Sequence, residues 1–424
     1  MAEQPPADRP ADQQPGYRPY VGPRTFRPNE GPQFFGRDRE ARDLTARIIS
    51  ERLTLFYAQS GAGKSSLINT RIVPSLEAQG FEVLPVARVS GVAGSDLTAA
   101  PVAQSVVLAA EPELQARQLA PQASQLAAEP ELQARQLAPQ AGSPNVFVYN
   151  LLAGLHQQDT EPPGLATMTI AVFLDNLINH DGLFYYDDAY VWPPDAELKP
   201  RVLIIDQFEE IITTNEAYWA QREGFFRQLG DALAADDLLW VVLSLRDEFI
   251  AGLDPYLHLV NKGVRQRFYM QHLDRAAAMQ AICRPVEKIR PFEPDAAETL
   301  LNNLLTGRRN GDEAAAPQPA EFVEPVQLQA VCYQMWEKLQ TRPGPTITCQ
   351  DVLDFADVDK ALVSFYEETI AGTVAETGVS ELALRHWIDT KLITNAGTRN
   401  MVFRGATETD GLPTPVADAL RARF

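Results

Sequence analysis

A short apolar run followed by a turn with two glycines constrains this chain more than any other feature. Residues 53–57 read LTLFY and residues 58–65 read AQSGAGKS. The glycines let successive backbone N–H groups face one point, and the helix that follows presents its positive N-terminal end there. The spacing matches the phosphate-binding pattern G-x-x-x-x-G-K-[ST], except that Ala58 replaces the first glycine. The sequence therefore predicts a strand, a phosphate-binding loop and a helix.

The residues of this loop have separate predicted tasks in holding a nucleotide. Lys64 is expected to neutralise the β- and γ-phosphates, and the Ser65 hydroxyl to complete the shell of a Mg²⁺ ion. Ala58 precedes the tightest part of the loop. The substitution therefore affects the expected backbone path into the loop, and phosphate binding is still expected. The candidate nucleotide-binding residues here are Ser60, Gly61, Ala62, Gly63, Lys64, Ser65 and Ser66.

A second apolar run ends in acidic residues, as a nucleotide site requires. Residues 202–210 read VLIIDQFEE. A continuous aliphatic run is typical of a strand buried on both faces of a parallel sheet, and such sheets bind ligands at the carboxyl ends of their strands. Asp206 is therefore the candidate Mg²⁺ carboxylate. Glu209 or Glu210 is the candidate for orienting the attacking water, and the alternative is that both are solvated acids at the start of a helix.

A third buried strand, at residues 238–245, ends at Arg246. The planar fork of an arginine binds phosphate or carboxylate, so Arg246 either senses the γ-phosphate or pairs with an acidic neighbour. We also predict a strand at 81–89 and apolar helices at 145–155 and 168–178. Strands that alternate with helices indicate an α/β fold with a doubly wound parallel sheet.

Composition excludes several other classes of protein. The formal net charge of −19 argues against a surface that binds nucleic acid or anionic membranes as a whole. No basic leader, membrane span or metal-ligand spacing of Cys and His is present in the sequence, so we expect a cytoplasmic protein. The histidines form neither a zinc-peptidase motif nor part of a serine-hydrolase elbow.

Two segments are expected to lie outside the folded core. Residues 1–32 are rich in Pro, Gln and Gly, which indicates a disordered tail whose last part, from Tyr20 to Phe26, is able to dock on the domain. Residues 108–123 and 126–141 have the same sequence. Two copies are too few for a solenoid, so we interpret them as a duplication within a surface insertion at about 91–144.

Three segments together resemble the STAND branch of P-loop NTPases, the signal-transduction ATPases with numerous domains, and especially its bacterial members. Residues 34–40 (FFGRDRE) are similar to the FGR-x-x-E segment of that family, residues 206–210 (DQFEE) to its acidic strand end, and residues 244–249 (SLRDEF) to its sensor strand. The resemblance implies that Gly36 and Arg37 lie near the adenine of a bound nucleotide.

The resemblance extends to the C-terminus and implies an order of domains. Residues 281–285 (AICRP) resemble the start of the family's helical lid, where Pro285 would lie near the base; the alternative is an ordinary helix end. The strands that would complete the last module are missing, so we expect effector or sensor domains beyond this chain. The expected parts are the tail at 1–32, a P-loop NTPase domain at 33–275, a helical lid at 276–345 and a truncated winged-helix-like domain at 346–424.

The function that the resemblance implies is an ATP-binding signalling switch. ATP or ADP with Mg²⁺ would hold a closed form, activation would allow self-oligomerisation, and slow ATP hydrolysis would reset the switch. For biology, the same resemblance implies bacterial defence against phage or regulated cell death. A non-hydrolysing, nucleotide-bound scaffold is one alternative. A DNA-binding winged-helix ATPase is another, and the acidic balance of the chain weighs against it.

Overall fold

The structure of this protein is a computed structural model. It describes residues 18–91, 144–190, 198–213, 216–260, 266–306, 321–393, 402, 408–421 and 423. The duplicated segment and the first part of the predicted tail lie outside the described residues. Within the described part of the chain, none of the helices is both long enough and apolar enough to cross a membrane.

The secondary structure alternates between strands and helices over the first two thirds of the chain and is mainly helical afterwards. The strands are β1 (Leu53–Ala58), β2 (Glu82–Val83), β3 (Leu177–His180), β4 (Leu183–Tyr186), β5 (Arg201–Ile205), β6 (Leu239–Arg246), β7 (Gln266–Met270), β8 (Glu408–Thr409) and β9 (Leu412–Pro413). The helices are α1 (Asp38–Ser50), α2 (Lys64–Leu67), α3 (Val73–Ala78), α4 (Val146–Leu155), α5 (Ile170–Asp175), α6 (Glu210–Thr213), α7 (Arg222–Ala235), α8 (Ile250–Leu257), α9 (Arg275–Cys283), α10 (Pro294–Thr306), α11 (Pro325–Leu339), α12 (Cys349–Phe355), α13 (Val358–Thr377), α14 (Glu381–Trp387) and α15 (Thr414–Arg421).

A five-stranded parallel sheet in the order β2-β5-β6-β1-β7 forms the centre of the nucleotide-binding part. Its middle strands are aliphatic on both faces. In β5, Leu203 and Ile205 join a core cluster with α4, α5, α7 and α8, whereas Val202 and Ile204 join a cluster with α1 and the helix after the loop. Because helices cover both faces, the predicted α/β fold with a doubly wound parallel sheet is confirmed.

Two of the predicted elements differ from the structure. The strand expected at 81–89 is reduced to β2 and an isolated bridge at Ala87, because Pro85 has no N–H to donate to a ladder. The helix expected at 168–178 ends at Asp175, and the chain then forms the antiparallel β3–β4 hairpin. Asp181 and Gly182 have φ values of 54° and 84°, which suit the tight turn of a hairpin and override the helical pattern.

The last part of the predicted tail lies within the described residues, and the docking expected from Tyr20 to Phe26 is present. Residues 18–27, which we call the N-terminal strap, pack on the protein, with Tyr20 fully buried and Phe26 5% exposed. Tyr20 donates a hydrogen bond of 2.5 Å from Oη to the Ile282 carbonyl. A 3₁₀ helix at Pro28–Gln33 then leads towards α1. The two aromatic side chains supply the buried area that the polar composition lacks.

The helices after the sheet form two further cores. One cluster contains Tyr20 of the strap and side chains of α9, α10, α11 and α12. The other contains side chains of α13, α14 and α15 and Leu412 of the short β8–β9 hairpin. These clusters do not include residues of the central sheet. The division into a lid and a winged-helix-like domain remains a prediction.

Candidate functional site

The phosphate-binding loop begins where β1 ends and stops where α2 begins. Gly61 and Gly63 have φ values of 73° and 92°, the left-handed region that favours glycine, and Gly63 is the N-cap of α2. Ala58 is the last residue of β1, is fully buried and pairs with Arg246 of β6. It therefore has ordinary strand geometry, and the alanine in place of the first glycine places no strain on the loop.

The side chain of Lys64 folds back onto the start of the phosphate-binding loop. Its Nζ donates to the carbonyl oxygens of Ala58 at 3.2 Å and Gln59 at 3.5 Å. Burial lowers the pKa of Lys64, while the nearby Glu209 and Asp206 carboxylates act in the opposite direction. The ammonium group is thus held next to the loop backbone, the position in which phosphate oxygens would meet it.

Asp206 lies between two serine hydroxyls at the carboxyl end of the sheet. Its Oδ2 accepts from Ser65 Oγ at 2.6 Å, and its Oδ1 accepts from Ser244 Oγ at 2.7 Å. The register that pairs Ile205 with Leu243 brings Asp206 and Ser244 side by side. Hydroxyl and carboxylate oxygens are hard ligands that suit Mg²⁺, so this donor set fits the expected ion. The pair that would hold it is Ser65 and Asp206.

The next acidic residues face in different directions. Glu209 is 4% exposed and accepts from Nε of Arg246 at 2.9 Å and from the backbone N–H of Arg246 at 3.3 Å. Glu210 instead accepts a short hydrogen bond from Ser90 Oγ and lies 3.9 Å from an Nη1 atom of Arg88. Burial raises the pKa of Glu210 to about 7. Arg246 thus pairs with an acidic neighbour, Glu209, which is one of the two roles considered for it.

Gln207 turns the chain between Asp206 and Glu209. Its φ of 53° lies in the left-handed region, which a residue with a Cβ seldom adopts. The next backbone N–H, of Phe208, donates to the Ser244 carbonyl at 2.7 Å and ties the turn to β6. Fully buried Phe208 then anchors the turn in the core. This strained turn sets the direction in which Glu209 points.

The segment before α1 supports the loop from outside. Arg37 is 3% exposed, and its Nη2 donates to the carbonyl of Ala62 at 3.1 Å and of Gln271 at 2.8 Å. Gly36 has a φ of 82°, and a Cβ there would lie 2.4 Å from the carbonyl oxygen of Ala277 in α9. Close packing and loop support therefore account for both residues, whether or not a base lies nearby.

A cavity of about 1030 Å³ lies at the carboxyl ends of the central strands. This is at the upper end of the range of roughly 300–1,000 Å³ that ligand pockets occupy. Its basic wall residues are Arg24, Arg27, Arg37, Lys64, Arg88, Arg246 and Arg421, and its acidic wall residues are Asp206, Glu209 and Asp418. In a chain with a formal net charge of −19, this local excess of cations favours an anionic ligand.

Comparison with known proteins shows the family to which this chain belongs. The family model described as Novel STAND NTPase 1 matches residues 19–410, which is most of the chain. The chain belongs to this STAND NTPase family. It has no significant match among the curated proteins.

Solved structures resemble this STAND NTPase distantly. A Walker-type ATPase of Pyrococcus abyssi is 11% identical, with a TM-score of 0.42; the match covers 92% of this chain and 96% of that chain. The ORC2 protein of Aeropyrum pernix, solved as ADPNP-ADP complexes, is 12% identical, also with a TM-score of 0.42; the match covers 91% of this chain and 94% of that chain.

Most of the candidate residues of this STAND NTPase meet at the cavity. Its wall includes the whole candidate loop from Ser60 to Ser66, together with Arg37, Asp206, Glu209 and Arg246. Gly36, Glu210 and Pro285 are not part of the wall. Pro285 is buried in a 3₁₀ turn directly after α9, which is the position of an ordinary helix end.

Several wall residues of the STAND NTPase were not expected from its sequence. The strap contributes residues 22–27, α11 contributes Val326 and Gln329, and α15 contributes Asp418 and Arg421. Ser244, which bonds to Asp206 without lining the cavity, was also not expected, although it has a visible signal as a hydroxyl residue within an otherwise apolar strand. The others come from distant segments with no motif, so only folding reveals that they share a cavity.

Proposed function

We propose that this STAND NTPase is an ATP-binding signalling switch. The observation that carries the proposal is the make-up of the cavity wall. One side is the phosphate loop and the acidic strand end, and the other includes Asp418 and Arg421 of α15, near the far end of the chain. A nucleotide in the cavity would contact both sides, so its binding would hold α15 against the sheet and its exchange would release α15.

Nucleotide binding would rest on residues with distinct contacts. Lys64 would move from its loop carbonyls to the β- and γ-phosphates, and Arg37 would keep the loop in place through Ala62. Ser65 and Asp206 would hold Mg²⁺, which when bound supplies positive charge to the phosphates. Apolar wall residues such as Leu273 and Leu328 suit a base, and we propose ATP and ADP as the nucleotides.

Hydrolysis would be slow and would use Glu209 to orient the attacking water. Of the two candidate glutamates, Glu209 belongs to the cavity wall, whereas Glu210 bonds to Ser90. The resting form would carry ADP, and a trigger that promotes exchange would free the C-terminal helices for self-association. Signalling to an effector, in defence or cell death, extends the proposal along the family resemblance.

The nucleotide that copurifies with the protein tests this proposal directly. We would denature the protein and identify any released nucleotide by chromatography, with Lys64→Ala protein purified in parallel. We expect ADP in an amount close to that of the wild-type protein and none from the variant. An empty wild-type site that also fails to bind added ATP or ADP in calorimetry would contradict the switch.

A nucleotide-bound scaffold without turnover is the second candidate function. The observation that favours it is the pairing of both Glu209 oxygens with Arg246, because those bonds occupy the oxygens that an attacking water would need. Substitution of Glu209 by Gln separates the two functions. An ATPase loses turnover and keeps nucleotide binding, whereas a scaffold has no turnover to lose.

A further inference from the structure

Glu209 is held by a single residue through two different kinds of donor. Its Oε1 accepts from the guanidinium Nε of Arg246 at 2.9 Å, and its Oε2 accepts from the backbone N–H of Arg246 at 3.3 Å. The two side chains are 5% and 14% exposed, so water screens the ion pair weakly. The charge that would attract a water proton is therefore neutralised in this form of the protein.

The two bonds differ in what can break them. The bond to Oε1 depends on the Arg246 side chain, which also reaches Glu248 at 3.2 Å and lies over the ring of Phe249. The bond to Oε2 depends on the backbone at the end of β6 and is fixed by the sheet. If the guanidinium turned away, the Glu209 carboxylate would keep its place and expose Oε1.

The cavity offers the guanidinium an alternative partner. Arg246 and Lys64 line the same cavity, together with Glu209 and the loop residues from Ser60 to Ser66. An arginine fork binds a phosphate as well as a carboxylate, in the same bidentate way. A γ-phosphate near Lys64 would therefore compete with Glu209 for Arg246.

We propose that Arg246 is a positioning residue that keeps Glu209 inactive until a nucleoside triphosphate binds. This inference rests on the proposed function. In the triphosphate complex the guanidinium moves to the γ-phosphate, and Glu209 Oε1 becomes free to accept a proton from water. With ADP no γ-phosphate competes, and the ion pair forms again.

The chemical step that follows is an ordinary displacement at phosphorus. The oxygen of water forms a bond to the γ-phosphorus while the bond from that phosphorus to the bridging oxygen breaks. The electron pair of the broken bond stays on the bridging oxygen of ADP. Glu209 accepts the proton that the water loses and later passes it to solvent or phosphate.

Affinities for two nucleotides test this exchange. We would remove bound nucleotide from the full chain and measure the binding of ADP and of ADPNP, a triphosphate analogue that resists hydrolysis, by calorimetry with Mg²⁺. The proteins are the wild type, Glu209→Gln, Arg246→Ala and the double variant. We expect Glu209→Gln to raise the preference for ADPNP over ADP about fivefold and Arg246→Ala to lower it about tenfold.

The double variant is decisive, because any lost carboxylate near a γ-phosphate would favour ADPNP by simple electrostatics. If Glu209 acts through Arg246, the double variant has the same preference as Arg246→Ala. If the effects of the two substitutions multiply, the exchange is wrong. Glu210→Gln removes a neighbouring carboxylate bonded to Ser90 and should leave the preference unchanged.

Further outcomes separate this inference from the proposed function. Arg246→Lys keeps the charge without the fork and should give an intermediate preference, which serves if Arg246→Ala does not fold. Binding of both nucleotides with a preference that no variant alters would overturn the exchange alone. A wild-type chain that binds neither nucleotide would overturn the exchange together with the proposed function.

Discussion

The two sides of the cavity are built in different ways. On the sheet side, Ser65, Asp206 and Ser244 are joined by hydrogen bonds of 2.6 and 2.7 Å. The elements that position them, α2, β5 and β6, contribute side chains to the two large cores. On the helix side, Asp418 and Arg421 belong to α15, whose residues Val416 and Leu420 pack into the separate C-terminal cluster. The sheet side is fixed by hydrogen bonds between strands, and the helix side is fixed by side-chain packing between helices.

The two kinds of construction differ in how easily each side of the cavity can move. Opening the sheet side would break parallel ladders and expose aliphatic residues such as Leu203 and Ile205, both fully buried. Moving α15 away together with the rest of its cluster would leave both cores of the sheet intact. Elements with few shared core contacts open at lower free energy than core strands. We therefore expect the sheet side to bind and the helix side to respond.

The largest expected effect is on the sheet side, with Lys64→Ala. Loss of a buried ammonium that meets phosphate should weaken nucleotide binding at least about 100-fold, or about 3 kcal/mol. Calorimetric titration with ADP and ATP measures this loss. The free energy of unfolding of the nucleotide-free protein should not fall, because the variant no longer buries that charge. Unchanged nucleotide affinity would remove the basis of the site.

A second prediction concerns Glu210, which is buried on the sheet side without being part of the wall. Burial raises its pKa to about 7 from an ordinary value near 4.5, so the folded protein binds a proton that the unfolded chain releases. Between those two pH values, rising pH therefore destabilises the wild type, and above pH 7 the cost is complete. Between pH 4.5 and a pH above 7, we expect the free energy of unfolding of the wild type to fall by about 3 kcal/mol relative to that of Glu210→Gln.

Denaturant titrations at pH 4.5, 6 and 8 would measure this dependence in both proteins. The free-energy difference between them should move in favour of Glu210→Gln as pH rises and should stop changing above about pH 7. A difference that is independent of pH would mean that folding leaves the pKa of Glu210 at its ordinary value. Nucleotide affinity serves as the control, since Glu210 is outside the cavity wall.

A smaller effect is expected on the helix side, with Arg421→Ala. Arg421 is exposed on α15, so solvent screens its attraction for phosphate, and we expect nucleotide affinity to fall about fivefold. The loss should shrink at high salt. Arg227→Ala is the matched control, because Arg227 is an exposed arginine of α7, paired with Glu223 and outside the wall. Equal losses for the two variants would contradict a role for α15 in binding.

The smallest expected effect tests the turn that aims Glu209. Gln207→Gly should raise the free energy of unfolding by about 0.5 kcal/mol, because glycine relieves the left-handed strain but costs more chain entropy. Gln207→Val should lower it by about 1 kcal/mol or more, since a branched Cβ is least tolerated there. Thermal unfolding of both variants measures the difference. Equal stabilities would show that the turn is not strained.

The sequence predicts the sheet side far better than the helix side. Residues 53–65 and 202–206 carry local signals, since an aliphatic run specifies a buried strand and two glycines specify a tight turn. The predicted strand, loop and helix are present at those positions, and so is the parallel sheet. Expectations based on apolar pattern alone are weaker, as the β3–β4 hairpin in place of the end of a predicted helix demonstrates.

The choice between Glu209 and Glu210 depends on a turn that no pattern specifies. Adjacent residues in a turn point in directions set by φ and ψ, and here Gln207 adopts a left-handed conformation that its residue type disfavours. Only the packing of Phe208 and its bond to β6 maintain that turn. The partner of Arg246 follows from the same geometry.

The sequence by itself thus determined the chemistry that the site can hold: a phosphate loop, an acidic strand end and an arginine, each encoded within a few consecutive residues. Tertiary structure alone decided which acid faces the cavity, that Arg246 pairs with Glu209, and that the strap and α15 join the wall. The physical reason is range. Backbone conformation and strand burial depend on neighbours along the chain, whereas the presence of residue 24 and residue 421 on the wall of one cavity depends on the packing of every element between them.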